Sequence, residues 1–90
     1  MFELRFSNKA EKFLKKCDGK LKLRLVDLFQ KLMQNPVPAK EYDLKKIAGE
    51  ENTYRIRLSS YRTTYFVDWE QKIIRILKIE RRKESTYKKI

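Results

Sequence analysis

The arginines in the second half of the chain are the residues whose type and spacing suggest chemistry. Arg55 and Arg57 lie two apart in an alternating stretch that predicts a β-strand, so both side chains leave the same face of the sheet. Because a planar guanidinium group binds phosphate through two parallel hydrogen bonds, such a pair is suited to hold adjacent phosphates of one RNA strand. A solvated outer face would show the same alternation, an interpretation that the pattern alone slightly favours.

Further arginines fall at the ends of the neighbouring predicted strands. Arg62 opens the next strand, where it can approach the first pair across the ladder, and Arg81 and Arg82 follow the last strand. Each of these taken singly is typical of a solvated surface charge. Their convergence from three consecutive strands favours a shared phosphate-binding face.

The net charge of the chain points to a negatively charged partner. The 90 residues carry 23 Lys and Arg against 12 Asp and Glu, a formal net charge of +11. After residue 53 there are 11 basic and 4 acidic residues, so the excess is concentrated in the shorter part of the chain. We expect the partner to be nucleic acid, an acidic protein, or both.

The composition excludes several kinds of catalytic site. The chain has no histidine and a single cysteine, Cys17, which excludes imidazole bases, Ser-His-Asp systems, thiolate zinc clusters and an intramolecular disulfide. Gly19 and Gly49 are the only glycines, so there is no glycine-rich phosphate loop, and no metal-ligand spacing occurs. We therefore predict no cofactor and no metal. A nuclease with these residues would use the 2′-hydroxyl of RNA as nucleophile and clustered arginines to stabilise the developing charge.

The remaining sequence signals predict one domain, residues 1–90, in the cytoplasm. No stretch approaches the roughly 20 apolar residues of a membrane span, and the N-terminus lacks the apolar run of a secretory signal.

Hydrophobic periodicity predicts an α+β fold. Residues 2–6 alternate as a short strand, and Ser7 is suited to cap a helix whose apolar stripe ends at Cys17. Asp18-Gly19 is expected to end this helix, and a second helix is predicted from about Lys20 to Gln34, which completes a helical hairpin.

The second half of the chain predicts strands. Pro36 and Pro38 end the second helix, and residues 39–53 form a connection with one structured piece, residues 42–47. Three strands follow as an antiparallel meander, of which the third, Lys72 to Ile79, is the most apolar and is expected to be central. Since the helices would pack on one face of the single sheet, the arginines would lie on its open face.

Several sequence elements together resemble the RelE/ParE superfamily of toxin–antitoxin toxins, in particular archaeal members of the RelE branch. The matching segments are Tyr54-Arg-Ile-Arg-Leu58, Tyr61-Arg-Thr-Thr-Tyr-Phe-Val67, Ile76-Leu-Lys-Ile-Glu-Arg-Arg82, Lys46-Ile47-Ala48-Gly49 and Tyr87. The resemblance covers nearly the whole chain and agrees with its size, basic charge and predicted order of elements.

The resemblance implies a RelE-like fold and a ribosome-dependent mRNA endonuclease without a metal. Such toxins cleave mRNA in the ribosomal A site by attack of the 2′-hydroxyl and thereby inhibit translation. The implied partners are an acidic RelB-like antitoxin, the ribosome and mRNA, with operator DNA bound only through the antitoxin complex and no membrane contact.

The resemblance also implies roles for individual residues. Arg62 matches the strand arginine that stabilises the transition-state phosphate. Arg82 matches the arginine after the last strand, which is assigned to stabilising the phosphate or the leaving group. Tyr87 matches the tyrosine that stacks on the base. Arg55 and Arg57 occupy positions where other members carry lysines, one of them credited as general base. The positions expected to contact RNA in addition are Lys46, Lys78, Arg81 and Lys83.

Two departures from the family pattern leave alternatives open. Because arginine is a poor base, Arg55 would act electrostatically and the proton acceptor would be Lys46, Lys78, Glu80 or ribosomal RNA. A slow toxin is the alternative. The spacing before Tyr87 is one residue shorter than in some members, which makes Arg81 a rival to Arg82. A ParE-like inhibitor of DNA gyrase and a non-catalytic RNA-binding module are the alternative functions.

Overall fold

The computed structural model describes residues 1–82, which form two helices and one five-stranded sheet. In chain order the elements are β1 (Glu3–Phe6), α1 (Asn8–Lys16), α2 (Gly19–Gln34), β2 (Asp43–Lys46), β3 (Thr53–Leu58), β4 (Tyr61–Asp68) and β5 (Ile73–Arg81). The predicted α+β class, with the helices on one face of the sheet, is confirmed.

The sheet is mixed, with strand order β1-β5-β4-β3-β2. From β2 to β5, each strand pairs antiparallel with the next strand along the chain, whereas β1 pairs in parallel with β5. Strand β2 lies within residues 42–47, for which the sequence predicts a structured piece of a connection. Its pairing with β3 extends the predicted meander to four strands. Strand β5 is paired on both sides as expected, although β4 occupies the middle of the sheet.

Short polar side chains cap both helices. The Ser7 hydroxyl accepts a hydrogen bond from the Ala10 amide at 3.1 Å, as predicted for the start of α1. Asp18 and Gly19 do not end α1 in the way expected. Instead, Asp18 caps α2 by accepting from the Leu21 amide at 2.8 Å, and Gly19 is the first residue of that helix. A carboxylate that satisfies an otherwise free helical N–H group favours the start of a helix over an extended linker.

The core lies between the helices and the inner face of the sheet. Its buried members are Ala10, Leu21, Leu25, Leu28, Phe29, Leu32, Ile56, Leu58, Tyr65, Val67, Ile74, Ile76 and Ile79. Helical positions three and four apart and strand positions two apart supply them, as the two periodicities require. Among the described residues, no helix is long and apolar enough to cross a membrane.

A β-bulge in β5 changes which residues face the core. The pairing of β4 with β5 shifts between Thr64 and Tyr65, which leaves Leu77 as an extra residue. Ile76 and Ile79 consequently both lie in the core, although three positions separate them. Lys78 and Glu80 are thereby directed to the open face of the sheet.

Tyr65 links the central strand to the loop after α2. Its side chain is fully buried, and its hydroxyl donates a 2.6 Å hydrogen bond to the Pro36 carbonyl. Burial raises the pKa of the Tyr65 hydroxyl, with a smaller contribution from nearby Tyr54, so the group remains a hydrogen-bond donor at physiological pH.

We expect Tyr65→Phe to lower the free energy of unfolding by about 1–2 kcal/mol, because the buried Pro36 carbonyl loses its partner. Chemical denaturation measures this change. Tyr54→Phe is the matched control, since the Tyr54 hydroxyl has no hydrogen bond to a described residue. Equal stability of the two variants would contradict the role given to this bond.

Candidate functional site

The open face of the sheet carries a shallow basic depression. We call it the arginine depression. The residues that line it are Asp43, Lys45, Arg55, Arg57, Arg62 and Arg82. They come from β2, β3, β4 and the position just after β5. The arginines predicted from three separate strands are therefore neighbours in space.

Strand register explains this convergence. Residues directly opposite one another in a sheet project from the same face. One row across the strands consists of Asp43, Arg57, Arg62 and Glu80. The adjacent row consists of Lys45, Arg55, Thr64 and Lys78. Since the other face of each strand packs against the helices, the alternation directs both rows outward.

Arg62 makes the shorter of the two contacts between an arginine of the depression and a carboxylate. Its Nε lies 3.2 Å from Glu80 Oε2, and Lys78 Nζ lies 3.5 Å from the same oxygen. The Arg62 side chain is 31% exposed, compared with 50% for Arg57. Because Nε makes the contact with Glu80, the two terminal nitrogens of Arg62 remain free of hydrogen bonds to described residues and can bind a phosphate.

A second carboxylate orients Arg57. Its Nε lies 3.5 Å from Asp43 Oδ2, and both side chains are about half exposed. Within residues 1–82, Lys45, Arg55 and Arg82 make no ion pair. The depression therefore holds more cations than carboxylates and has a net positive potential toward solvent.

The shape of the depression suits a polymer rather than a small molecule. The space within it is only about 40 Å³, far below the roughly 300–1,000 Å³ of pockets that enclose small ligands. An extended phosphate backbone can lie across such a surface, because only its phosphates need to approach the cations.

The structure distinguishes Arg82 from Arg81. Arg82 lines the depression, and its backbone amide donates a 2.8 Å hydrogen bond to the carbonyl of Ser60, which immediately precedes β4. Arg81 is paired opposite Tyr61, whose ring packs against the helix-side core, and it does not line the depression.

Strand β2 places Lys45, rather than Lys46, in the depression. Lys45 lies opposite Arg55, whereas Lys46 lies opposite Tyr54 and thus belongs to the other face. Sequence reasoning missed Lys45 and Asp43, although their in-phase spacing would have been visible once residues 43–46 were treated as a strand.

Two of the sequence-based site residues, Lys83 and Tyr87, lie outside the described residues. Their roles remain those that the family resemblance implies. Within residues 1–82, no group of three or more Asp, Glu or Cys side chains is arranged to hold a metal ion.

Comparison with known families gives a match over most of the chain. The family described as "ParE toxin of type II toxin-antitoxin system, parDE" matches residues 4–86. A protein named RelE1 from Methanocaldococcus jannaschii is 40% identical over 62 residues, which are 69% of this chain and 68% of that protein.

Solved structures share the fold. The archaeal RelE–RelB complex from Pyrococcus horikoshii OT3 contains a chain that is 29% identical, with a TM-score of 0.83 over 92% of this chain and 97% of that one. The isolated E. coli RelE toxin matches with a TM-score of 0.81 over 98% of this chain and 94% of that one, at 22% identity. Together with the family match over residues 4–86, these likenesses show that the chain belongs to the ParE/RelE family of type II toxin–antitoxin toxins.

Proposed function

We propose that this toxin is a metal-independent endoribonuclease that cleaves mRNA in the A site of the ribosome and thereby inhibits translation. The convergence of Arg55, Arg57, Arg62 and Arg82 in one open depression is the observation that carries this proposal. The curated relative and the structural matches named RelE favour the RNA-cleaving branch of the family.

The chemistry would follow from the positions of the arginines. The 2′-oxygen of the RNA attacks the adjacent phosphorus, the bond to the 5′-oxygen breaks, and a 2′,3′-cyclic phosphate and a 5′-hydroxyl result. The proton from the 2′-hydroxyl passes to a base, and the leaving oxygen takes up a proton. The terminal nitrogens of Arg62 would bind the non-bridging oxygens, whose negative charge increases in the transition state. Arg55, Arg57 and Arg82 would hold the flanking phosphates in line.

The register of β2 argues against one of the candidate proton acceptors, Lys46. Lys46 lies on the other face of the sheet from the arginines, so it is poorly placed to accept the proton. Lys78 and Glu80 lie beside Arg62 and remain candidates, together with ribosomal RNA. In either case the Glu80 carboxylate positions Arg62, because its Oε2 atom contacts both Arg62 and Lys78.

The proposed partners follow from the charge and the relatives. Several structural matches are complexes of a RelE toxin with its RelB antitoxin, including one from Methanococcus jannaschii that is 26% identical with a TM-score of 0.72. With a net charge of +11, this chain would bind an acidic antitoxin of the RelB type, which covers the toxin in the cytoplasm. Operator DNA would be bound only through that complex.

A ParE-like inhibitor of DNA gyrase is the second candidate, because the matching family is described as ParE toxin. Primer extension on a translated mRNA, with and without ribosomes, tests the first proposal. Ribosome-dependent cuts at fixed codon positions are expected. Intact mRNA together with loss of gyrase supercoiling would instead establish the second candidate.

Arg62→Ala should abolish mRNA cleavage and growth arrest, because the phosphate loses the cation that Glu80 holds in place. Antitoxin binding, measured by co-purification, should remain largely intact. Arg24→Ala, which removes an exposed arginine of α2, is the matched control and should remain toxic. Full toxicity of Arg62→Ala would refute the phosphate-stabilising role.

Glu80→Gln should increase the affinity for a short single-stranded RNA but reduce the cleavage rate. The substitution removes one negative charge from the site, which strengthens phosphate binding, and it releases Arg62 and Lys78 from their shared partner. Fluorescence anisotropy at two salt concentrations and primer extension measure the two effects.

Glu11→Gln in α1 makes the same change of charge on a helix, away from the depression. It should change neither the RNA affinity nor the cleavage rate much. If the Glu80 and Glu11 variants behave alike, Glu80 does not position Arg62.

Tyr87→Ala should weaken cleavage more than ribosome binding, since the family resemblance assigns this ring to stacking on the base. Cleavage rates and ribosome co-sedimentation measure the two effects. An unchanged cleavage rate would indicate that the tyrosine has only a structural role.

A further inference from the structure

The open face of the sheet continues beyond the arginine depression to a partly apolar surface. Phe66 of β4 lies directly opposite Arg75 of β5, and Arg75 lies opposite Arg5 of β1. The bulge residue Leu77 is 37% exposed and lies close by on β5. We call Phe66, Leu77 and Arg75 the Phe66 platform.

Phe66 differs from the other phenylalanines of the chain. Phe2, Phe6, Phe13 and Phe29 all belong to the helix-side core or pack against it, whereas Phe66 does neither. The alternation of β4 explains this, because Tyr65 and Val67 take the core positions on either side. A partly exposed aromatic ring on a strongly basic face has no role in the packing of the helices.

The surroundings of Phe66 favour nucleic acid as the occupant of the platform. Arg75 is exposed and makes no ion pair with a described residue, so its charge is available to a phosphate. Lys78 lies in the adjacent row, between the platform and Arg62. Aromatic rings beside such cations bind single strands, because unpaired bases can stack on the ring while the cations bind the backbone.

The platform is at a suitable distance from the arginine depression to contact the same strand. Phe66 follows Arg62 by four residues on the same face of β4, which corresponds to about 13 Å along the strand. No described element covers the face between them, since the two helices pack on the opposite side. An extended RNA segment can therefore lie across both surfaces.

We propose that the Phe66 platform binds an unpaired base, and Arg75 its phosphate, in the RNA strand whose backbone crosses the arginine depression. This inference rests on the proposed function for the identity of the bound strand. Phe66 is a binding residue that holds the substrate in register, whereas Arg62 acts at the scissile phosphate.

The test measures the binding of an RNA of about eight nucleotides, 2′-O-methylated so that it cannot be cleaved, by fluorescence anisotropy. The single strand should bind more tightly than a duplex of the same length. Phe66→Leu keeps an apolar side chain but removes the ring, and it should weaken single-strand binding about five-fold or more. Phe66→Tyr keeps the ring and should bind within about two-fold of the unsubstituted protein.

Arg75→Ala and Arg24→Ala each remove one exposed arginine, so they separate a local contact from general charge attraction. A larger loss with Arg75→Ala supports the platform. Equal losses, equal binding of duplex and single strand, or unchanged binding by Phe66→Leu would each overturn it.

Primer extension with the same variants distinguishes failure of the platform from failure of the proposed function. Absence of cleavage by the unsubstituted protein, with ring-dependent RNA binding retained, would refute the nuclease but not the platform. Normal cleavage positions and unchanged RNA binding by Phe66→Leu would refute the platform but not the nuclease.

Discussion

The extra residue in β5 is the constraint on which the arginine depression depends. A regular strand that buries Ile76 would also bury Lys78 and expose Ile79, because strand side chains alternate with a period of two. The bulge at Leu77 reverses that phase, so Ile79 packs in the core and Glu80 lies opposite Arg62. Ser7 holds the bulge in place, since its hydroxyl donates a 2.7 Å hydrogen bond to the Leu77 carbonyl. The residue that caps α1 therefore also supports the register of the site.

The helices cover the sheet on one side only, which leaves its other face open. Two helices bury the inner face, and β2 widens the outer face by one strand that adds Lys45 and Asp43. Excess cations on that face cost little free energy of folding, because water solvates them. The two carboxylates in contact with Arg57 and Arg62 restrict the directions of these guanidinium groups without neutralising the depression.

Much of this architecture could be predicted from the sequence, because the apolar periodicity of the helices and of β3 and β4 is strong. The Ser7 cap is an example that the structure confirms. Strand β2 is not predicted by periodicity, because its four residues are mostly exposed and owe their conformation to pairing with β3. The sequence does not show whether Asp18-Gly19 ends one helix or begins the next, and only the Asp18 contact with the Leu21 amide decides between them.

The arrangement of residues on the open face of the sheet is harder to predict from the sequence than the core. Alternation predicts Arg55, Arg57 and Arg62 on one face of the sheet. Which face the residues after Leu77 take depends on a bulge that no local sequence pattern indicates. The choice between Arg81 and Arg82 therefore required the register of β4 with β5. For the same reason the exposed position of Leu77 beside Phe66 could not be foreseen.

The parallel pairing of β1 with β5 has a consequence for folding during synthesis of the chain. Ser7 and Leu77 are 70 residues apart in the chain, and β1 has no other strand to pair with among the described residues. During synthesis the first strand and both helices emerge long before β5, which lies between β1 and β4, so the core cannot close until β5 has emerged. Arg62 likewise lacks Glu80 until that moment. A growing chain thus carries no assembled arginine depression until β5 has been synthesised and has paired with β1 and β4.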